Sequence, residues 1–142
     1  HYLQKGDPEI AKKYHARFIK DAKSSVHNAH DLAEFYCNHD IHLKEALKLT
    51  EQDLKTRKTV HTYDAYAWAL YKNKKYQEAS AAMKQALKWG TKEADLLYHA
   101  GLIYLKLGQK ARGRATLKAA LELNPTFSLL RARHARTILE NR

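Results

Sequence analysis

The chain has 142 residues, 44% of them hydrophobic, and its 26 Lys/Arg against 15 Asp/Glu give a formal net charge of +11. That length is one domain's worth; the apolar content excludes a wholly disordered chain, and no apolar run approaches the ~18 residues of a membrane-spanning helix. The basic balance favours contact with something acidic, such as nucleic acid, anionic lipid or an acidic protein, although Lys is also a good helix former that keeps a helical array in solution.

Apolar residues recur at helical spacing almost throughout, and no segment alternates as a strand does. The pattern predicts eight helices. The first covers Asp7–Ser24, with Asp7 as cap and Pro8 at the first helical position. The others are expected over Val26–Asn38, Leu43–Thr56, Val60–Asn73, Tyr76–Trp89, Glu93–Leu107, Gln109–Leu123 and Phe127–Asn141. Gly90 and the Asn124-Pro125 pair end helices, because Gly and Asn tolerate the left-handed cap and Pro cannot continue a helix. The turns Asn38-His39-Asp40, Asn73-Lys74-Lys75 and Leu107-Gly108-Gln109 are short enough to force antiparallel neighbours. The single cysteine, Cys37, has no internal disulfide partner.

The pattern also repeats. Tyr2, Tyr36, Leu70 and Tyr104 lie 34 residues apart. The series Ala11, Ala46, Ala79, Gly113 and the series Ile19, Leu54, Leu87, Leu121 follow with spacings of 35, 33 and 34. A fixed period of this size marks a stacked array, since one unit cannot bury its own apolar face without a neighbour. Small residues such as Ala67, Ala79, Ala100, Gly101 and Gly113 let helix backbones approach closely, and Tyr, Leu and Met fill the gaps. Gly101 inside a helix costs about 1 kcal/mol of propensity relative to Ala, which close packing must repay.

These residues resemble the tetratricopeptide repeat, a 34-residue helix–turn–helix unit. Residues 94–127 match best: Leu97, the Ala100-Gly101 pair, Tyr104, Gly113, Leu117, Ala120 and Pro125 stand at the family's positions. Residues 60–93 supply Tyr63, Tyr66-Ala67, Leu70, Ala79, Met83 and Ala86, with Thr91 where Pro is usual. Residues 26–59 supply Leu32-Ala33, Tyr36 and Ala46, but their second helix is shifted by one residue and carries Asp53 at a small position, so it is expected to pack less well. The resemblance implies an all-α fold, a right-handed α-solenoid of antiparallel helix pairs. Residues 1–142 would form one domain, with a half repeat at 1–25, full repeats at 26–59, 60–93 and 94–127, and a capping helix at 128–142. The chain opens His1-Tyr2-Leu3-Gln4 without an initiator Met, and is expected to be a piece of a longer array.

In this family the first helix of each repeat lines a concave groove. The resemblance therefore implies a partner-binding groove of His27, His30, Glu34, His61, Asp64, Trp68, Tyr71, Lys72, Asp95, Tyr98, His99 and Leu102, with Cys37, Asn38 and Lys106 beside them. The spacing of Asp64, Trp68, Tyr71 and Lys72 independently puts them on one helical face. Trp68 and Tyr71 are the candidate anchors, because rigid aromatics bury much area at little entropic cost; the competing reading has Trp68 packed within the repeat pair. Some family members grip a peptide's carboxylate terminus with Lys, Asn and Arg. The matching positions here are His30, Glu34, Ala65, Asp95 and His99, so acidic tails are not expected as ligands.

The His and acidic groups suit a peptide with Lys/Arg, polar or aromatic side chains, and His changes charge between about pH 5 and 7. His27, His30 and His61 are a weaker candidate metal set, His-x-x-His placing two imidazoles on one face. No metal or other cofactor is expected, and no enzymatic activity: phosphate-binding glycine loops, nucleophile elbows and His-Glu-x-x-His are all missing from the sequence. The expected function is a protein–protein interaction scaffold that binds a peptide segment in its groove. The alternative is sequence-independent binding of an anionic polymer, RNA or DNA, through Arg112, Arg114, Lys118, Arg131, Arg133 and Arg136. Self-association through exposed solenoid ends is a third expectation.

Overall fold

A computed structural model describes residues 29–125 and 128–141. The predicted helix over Asp7–Ser24, the half repeat at 1–25 and His27 lie outside the described residues. Within them the chain is all-helical: α1 (Ala29–Asn38), α2 (Leu43–Thr56), α3 (Val60–Lys72), α4 (Tyr76–Leu87), α5 (Ala94–Lys106), α6 (Lys110–Leu123) and α7 (Leu129–Glu140). The helices pack as successive pairs, α1 on α2, α3 on α4 and α5 on α6, with α7 against α6. The first helices of the pairs, α1, α3 and α5, also lie side by side, and that layer becomes the groove.

The repeat is visible at backbone level in the turns inside the pairs. Asp40, Lys74 and Gly108 stand in the left-handed region at φ 55, 63 and 79. Ahead of each, the next amide reaches back six residues inclusive: Ile41 N–H donates to Tyr36 O, Lys75 N–H to Leu70 O and Gln109 N–H to Tyr104 O. This is the Schellman ending, which satisfies the last helical carbonyls and prefers Gly at the left-handed position. Only one of the three turns has that Gly. An L side chain costs about 1–2 kcal/mol there, and Gly's extra freedom in the unfolded chain offsets part of the gain. Lys74→Gly, at an exposed position, is therefore expected to raise stability by about 0.5–1 kcal/mol. A urea midpoint unchanged or lowered would contradict this account of the turn.

The one-residue shift in the first pair has a structural location. The α1–α2 connection, 39–42, is one residue longer than those at 73–75 and 107–109. It absorbs the extra residue at His42, a second left-handed position with φ 46 and no side-chain cap bond. Downstream, α2 fully buries only Ala46 and Thr50, whereas α4 buries Ala79, Ala82, Met83 and Ala86. Asp53 is half-buried on α2 and turns to Arg57, accepting its guanidinium at 2.9 Å.

Two apolar clusters fill the array. One gathers Tyr36, Cys37, Trp68, Tyr98, Leu102 and Leu117. The other gathers Leu70, Met83, Leu96, Ile103 and Tyr104 between the second and third pairs. A capping box opens α3: Thr62 N–H donates to Thr59 Oγ1 and Thr59 N–H to Thr62 Oγ1. This fixes the start of the helix that carries His61, Asp64 and Trp68. The close approach of α5 and α6 rests on Gly101 and Gly113: a Cβ at either would fall within 3.0 Å of a leucine side chain on the facing helix.

Candidate functional site

Polar ties one repeat apart connect the groove-lining helices. Between α1 and α3, Trp68 Nε1–H donates to Asn38 Oδ1 at 3.3 Å and Lys72 Nζ to Asp40 Oδ1 at 2.8 Å. Between α3 and the start of α5, His99 Nδ1 lies 2.8 Å from Asp64 Oδ1 and His61 Nε2 lies 3.0 Å from Glu93 Oε1. Between α5 and α7, Arg131 donates to Asp95 Oδ1 at 2.6 Å, and Tyr98 Oη lies 2.7 Å from His134 Nδ1. Arg131 also spans the groove to α1, donating to Asn38 Oδ1 at 2.7 Å. One amide oxygen thus receives donors from α3 and α7 together.

Every described residue of the predicted groove lines one of two adjoining cavities. His30, Glu34, His61, Asp64, Asp95 and His99 surround the first, of about 170 Å³, with Trp68 between the two. Tyr71, Lys72, Tyr98 and Leu102 line the second, of about 620 Å³, together with Arg131 and His134 from α7. Trp68, the expected anchor, is buried, its indole only 6% exposed, as the competing reading of a ring packed within the array has it. It is the middle ring of a stack, with Tyr71 at 4.9 Å and His99 at 4.1 Å between centroids. Tyr98 and Leu102 are equally buried, so these positions form the groove floor; Tyr71 is half-exposed. Lys106 lies outside both linings, with its ammonium 5.9 Å from the Tyr76 ring.

The electrostatics follow burial. Burial pushes the Cys37 thiol up to about 12; Lys72 opposes the shift while Asp40 and Glu34 add to it. A thiol held protonated and 1% exposed is neither a nucleophile nor a ready metal ligand. Burial likewise raises the Tyr98 phenol to about 12, opposed by Arg131. It lowers His134 below the usual imidazole range, with Lys72 adding repulsion. A protonated phenol beside a neutral imidazole has Tyr98 donating and His134 Nδ1 accepting. His30, Asp31 and Glu34 bring ligand atoms within 4.8 Å of one another on the exposed rim. His61, from the sequence's metal set, is occupied instead by Glu93.

Of the six residues of the expected basic face, four have partners within the chain. Arg131 points into the groove at Asp95. Arg114 donates to the carbonyls of Ile138, Leu139 and Asn141, closing the C-terminal end of α7. Arg112 stacks 4.0 Å from the Tyr104 ring centroid and Arg136 donates to Pro125 O. Lys118 and Arg133 are exposed. Sequence reasoning missed Glu93, Arg131 and His134 as groove residues. The signal was present as complementary side chains about one period apart: His61 and Glu93, Asp64 and His99, Asp95 and Arg131.

Stacked helix pairs with a polar groove along their first helices define a helical-repeat interaction scaffold. The family is shown by more than shape: the Tetratricopeptide repeat profile matches residues 70–136, spanning α4, α5, α6 and most of α7. Over residues 70–136 the chain carries tetratricopeptide repeats. Among solved structures it is similar to MamA, with TM-score 0.60 and 18% identity over 98% of this chain and 84% of that one. It is also similar to MamA (41-end) from Desulfovibrio magneticus RS-1, with TM-score 0.62 and 20% identity over 96% of this chain and 77% of that one. At such identity the likeness is one of fold. No curated protein sequence matches the chain. No helix among the described residues is long and apolar enough to cross a membrane.

Proposed function

We propose that the chain is a non-catalytic scaffold that takes a peptide segment of a protein partner along the groove of α1, α3 and α5. The observation that carries this reading is the continuity of two cavities, a mixed His–carboxylate one and an aromatic-floored one, across three successive repeats. A buried, hydrogen-bonded floor loses little freedom on binding, so contact at the half-exposed rim contributes to affinity with a small ordering cost. Leu130, 53% exposed at the edge of the larger cavity, offers apolar area to the same segment. The partners that Arg112, Arg114, Arg131 and Arg136 already have within the chain weaken the alternative of an anionic polymer held by one basic face.

A photo-crosslinking residue placed singly at Glu34, Leu130, Gln77 or Lys118 tests this in native extract, with and without nuclease treatment. All four positions are exposed. The expected result is a protein adduct from Glu34 and Leu130 and none from Gln77 on α4. Adducts confined to Lys118, and lost on nuclease treatment, would overturn groove recognition in favour of nucleic acid. Affinity falling steeply with salt would accompany that outcome.

A further inference from the structure

We propose that the smaller cavity is a subsite for a cationic side chain, arginine in preference to lysine, of the bound segment. This rests on the groove reading above and supplies its chemistry. In a chain of net charge +11, the lining of this cavity holds the carboxylates of Glu34, Asp64, Glu93 and Asp95 and not one Lys or Arg. A cluster of carboxylates alone is ordinary surface, but this one has a built floor. His99 is 4% exposed and lines the cavity. Its Nδ1 is tied to Asp64, and its Nε2 is buried without a hydrogen-bond partner among the described residues.

The tie decides what that nitrogen offers. A carboxylate accepts, so Nδ1 carries a proton, and in the neutral tautomer this leaves Nε2 its lone pair. A buried acceptor without a donor is unfavourable, and a ligand N–H that reaches it relieves the loss. The four carboxylates and Nε2 of His99 are acceptors, while a guanidinium has five donors and no acceptor. Its planar fork can serve a carboxylate and the imidazole nitrogen together, which an ammonium does less well.

The neighbouring cavity shows the groove holding this chemistry already. From its edge the guanidinium of Arg131 donates to Asp95, a carboxylate of the smaller cavity's lining, and to an amide oxygen, Asn38, 5.9 Å from the Trp68 ring and 5.6 Å from the Tyr98 ring. The chain's own arginine thus serves Asp95 where the two cavities meet, and Glu34, Asp64 and Glu93 remain to meet a ligand's cation in the smaller one. A segment bound there would lie with its cation near Glu34 and His99.

The test is selection of displayed random 12-residue peptides on the full chain, followed by titration of the recovered peptides. Enrichment of Arg at one fixed position is expected. Replacing that Arg by citrulline, which keeps the shape and removes the charge, is expected to weaken binding at least tenfold, and Lys to weaken it less. Glu34→Gln, at an exposed position that does not carry the fold, is expected to weaken the Arg peptide similarly and to leave the citrulline peptide unchanged. Peptides that bind at the groove with no basic enrichment, or equally well to Glu34→Gln, overturn the cationic subsite and leave the groove reading standing. Failure to recover any groove-binding peptide overturns both.

Discussion

Asp64→Ala is expected to lower folding stability by about 2–3 kcal/mol, more than a half-buried surface carboxylate would suggest. The reason lies on its partner. His99 is buried between the Trp68 ring and the start of the cavity, and Asp64 holds its only hydrogen bond among the described residues. Removing the carboxylate leaves both ring nitrogens buried and unsatisfied, and each such group costs about 1–3 kcal/mol. Asp64→Asn keeps an acceptor oxygen and loses less, about 1 kcal/mol. His99→Phe keeps the stacked ring and removes the buried polar atoms, leaving Asp64, 16% exposed, to turn to water. In that background Asp64→Ala is expected to cost under about 1 kcal/mol, because deleting both partners of a buried pair is nearly neutral. Urea unfolding of the four proteins gives the coupling directly. Equal losses from Asp64→Ala with and without His99 would show that the pair is not a unit.

How much of this was legible beforehand differs between fold and site. Five of the predicted helices keep an end to the residue: α1 ends at Asn38, α2 runs Leu43–Thr56, α3 begins at Val60, α4 begins at Tyr76 and α6 ends at Leu123. Such ends follow from local chemistry, the Thr59 cap and the left-handed turn residues, which sequence carries within a few positions. The weak packing of α2 was legible too, from the 35-then-33 spacing around Ala46; the structure adds that the extra residue sits at His42. The groove residues were legible because the period places them. Their state was not. Whether Trp68 protrudes or lies flat depends on what the next repeat puts against it, and His99 is 31 residues away in sequence. The destination of Arg131 was misjudged for a related reason. Counted with the basic residues around it, it reads as part of a charged face; only its reach to Asp95 and Asn38, the latter 93 residues away, shows a guanidinium turned inward.

Gly113→Ala is expected to destabilise the protein by about 1–2 kcal/mol, although alanine favours a helix interior by about 1 kcal/mol. The two effects oppose each other, and the geometry decides between them. A Cβ at Gly113 would sit 2.6 Å from Leu105 Cγ and 3.0 Å from the backbone oxygen of Gly101. Leu105 is half-exposed and can turn away, but a backbone oxygen on α5 cannot, so α6 must move. Overpacking of this kind costs about 1–3 kcal/mol and takes back the propensity gain. Leu105→Ala in the Gly113→Ala background is then expected to recover only part of the loss; full recovery would mean that the side chain alone was in the way. The displacement also travels. Arg114, the next residue on α6, holds the last carbonyls of α7, and α7 carries Arg131 and His134 to the groove. Moving α6 away from α5 therefore pulls those two side chains from Asp95 and Tyr98. Amide exchange is expected to quicken in α7 while α3 keeps its protection. If α7 exchanges as in the unsubstituted protein, the glycine contact sets the spacing of one helix pair and has no hold on the groove.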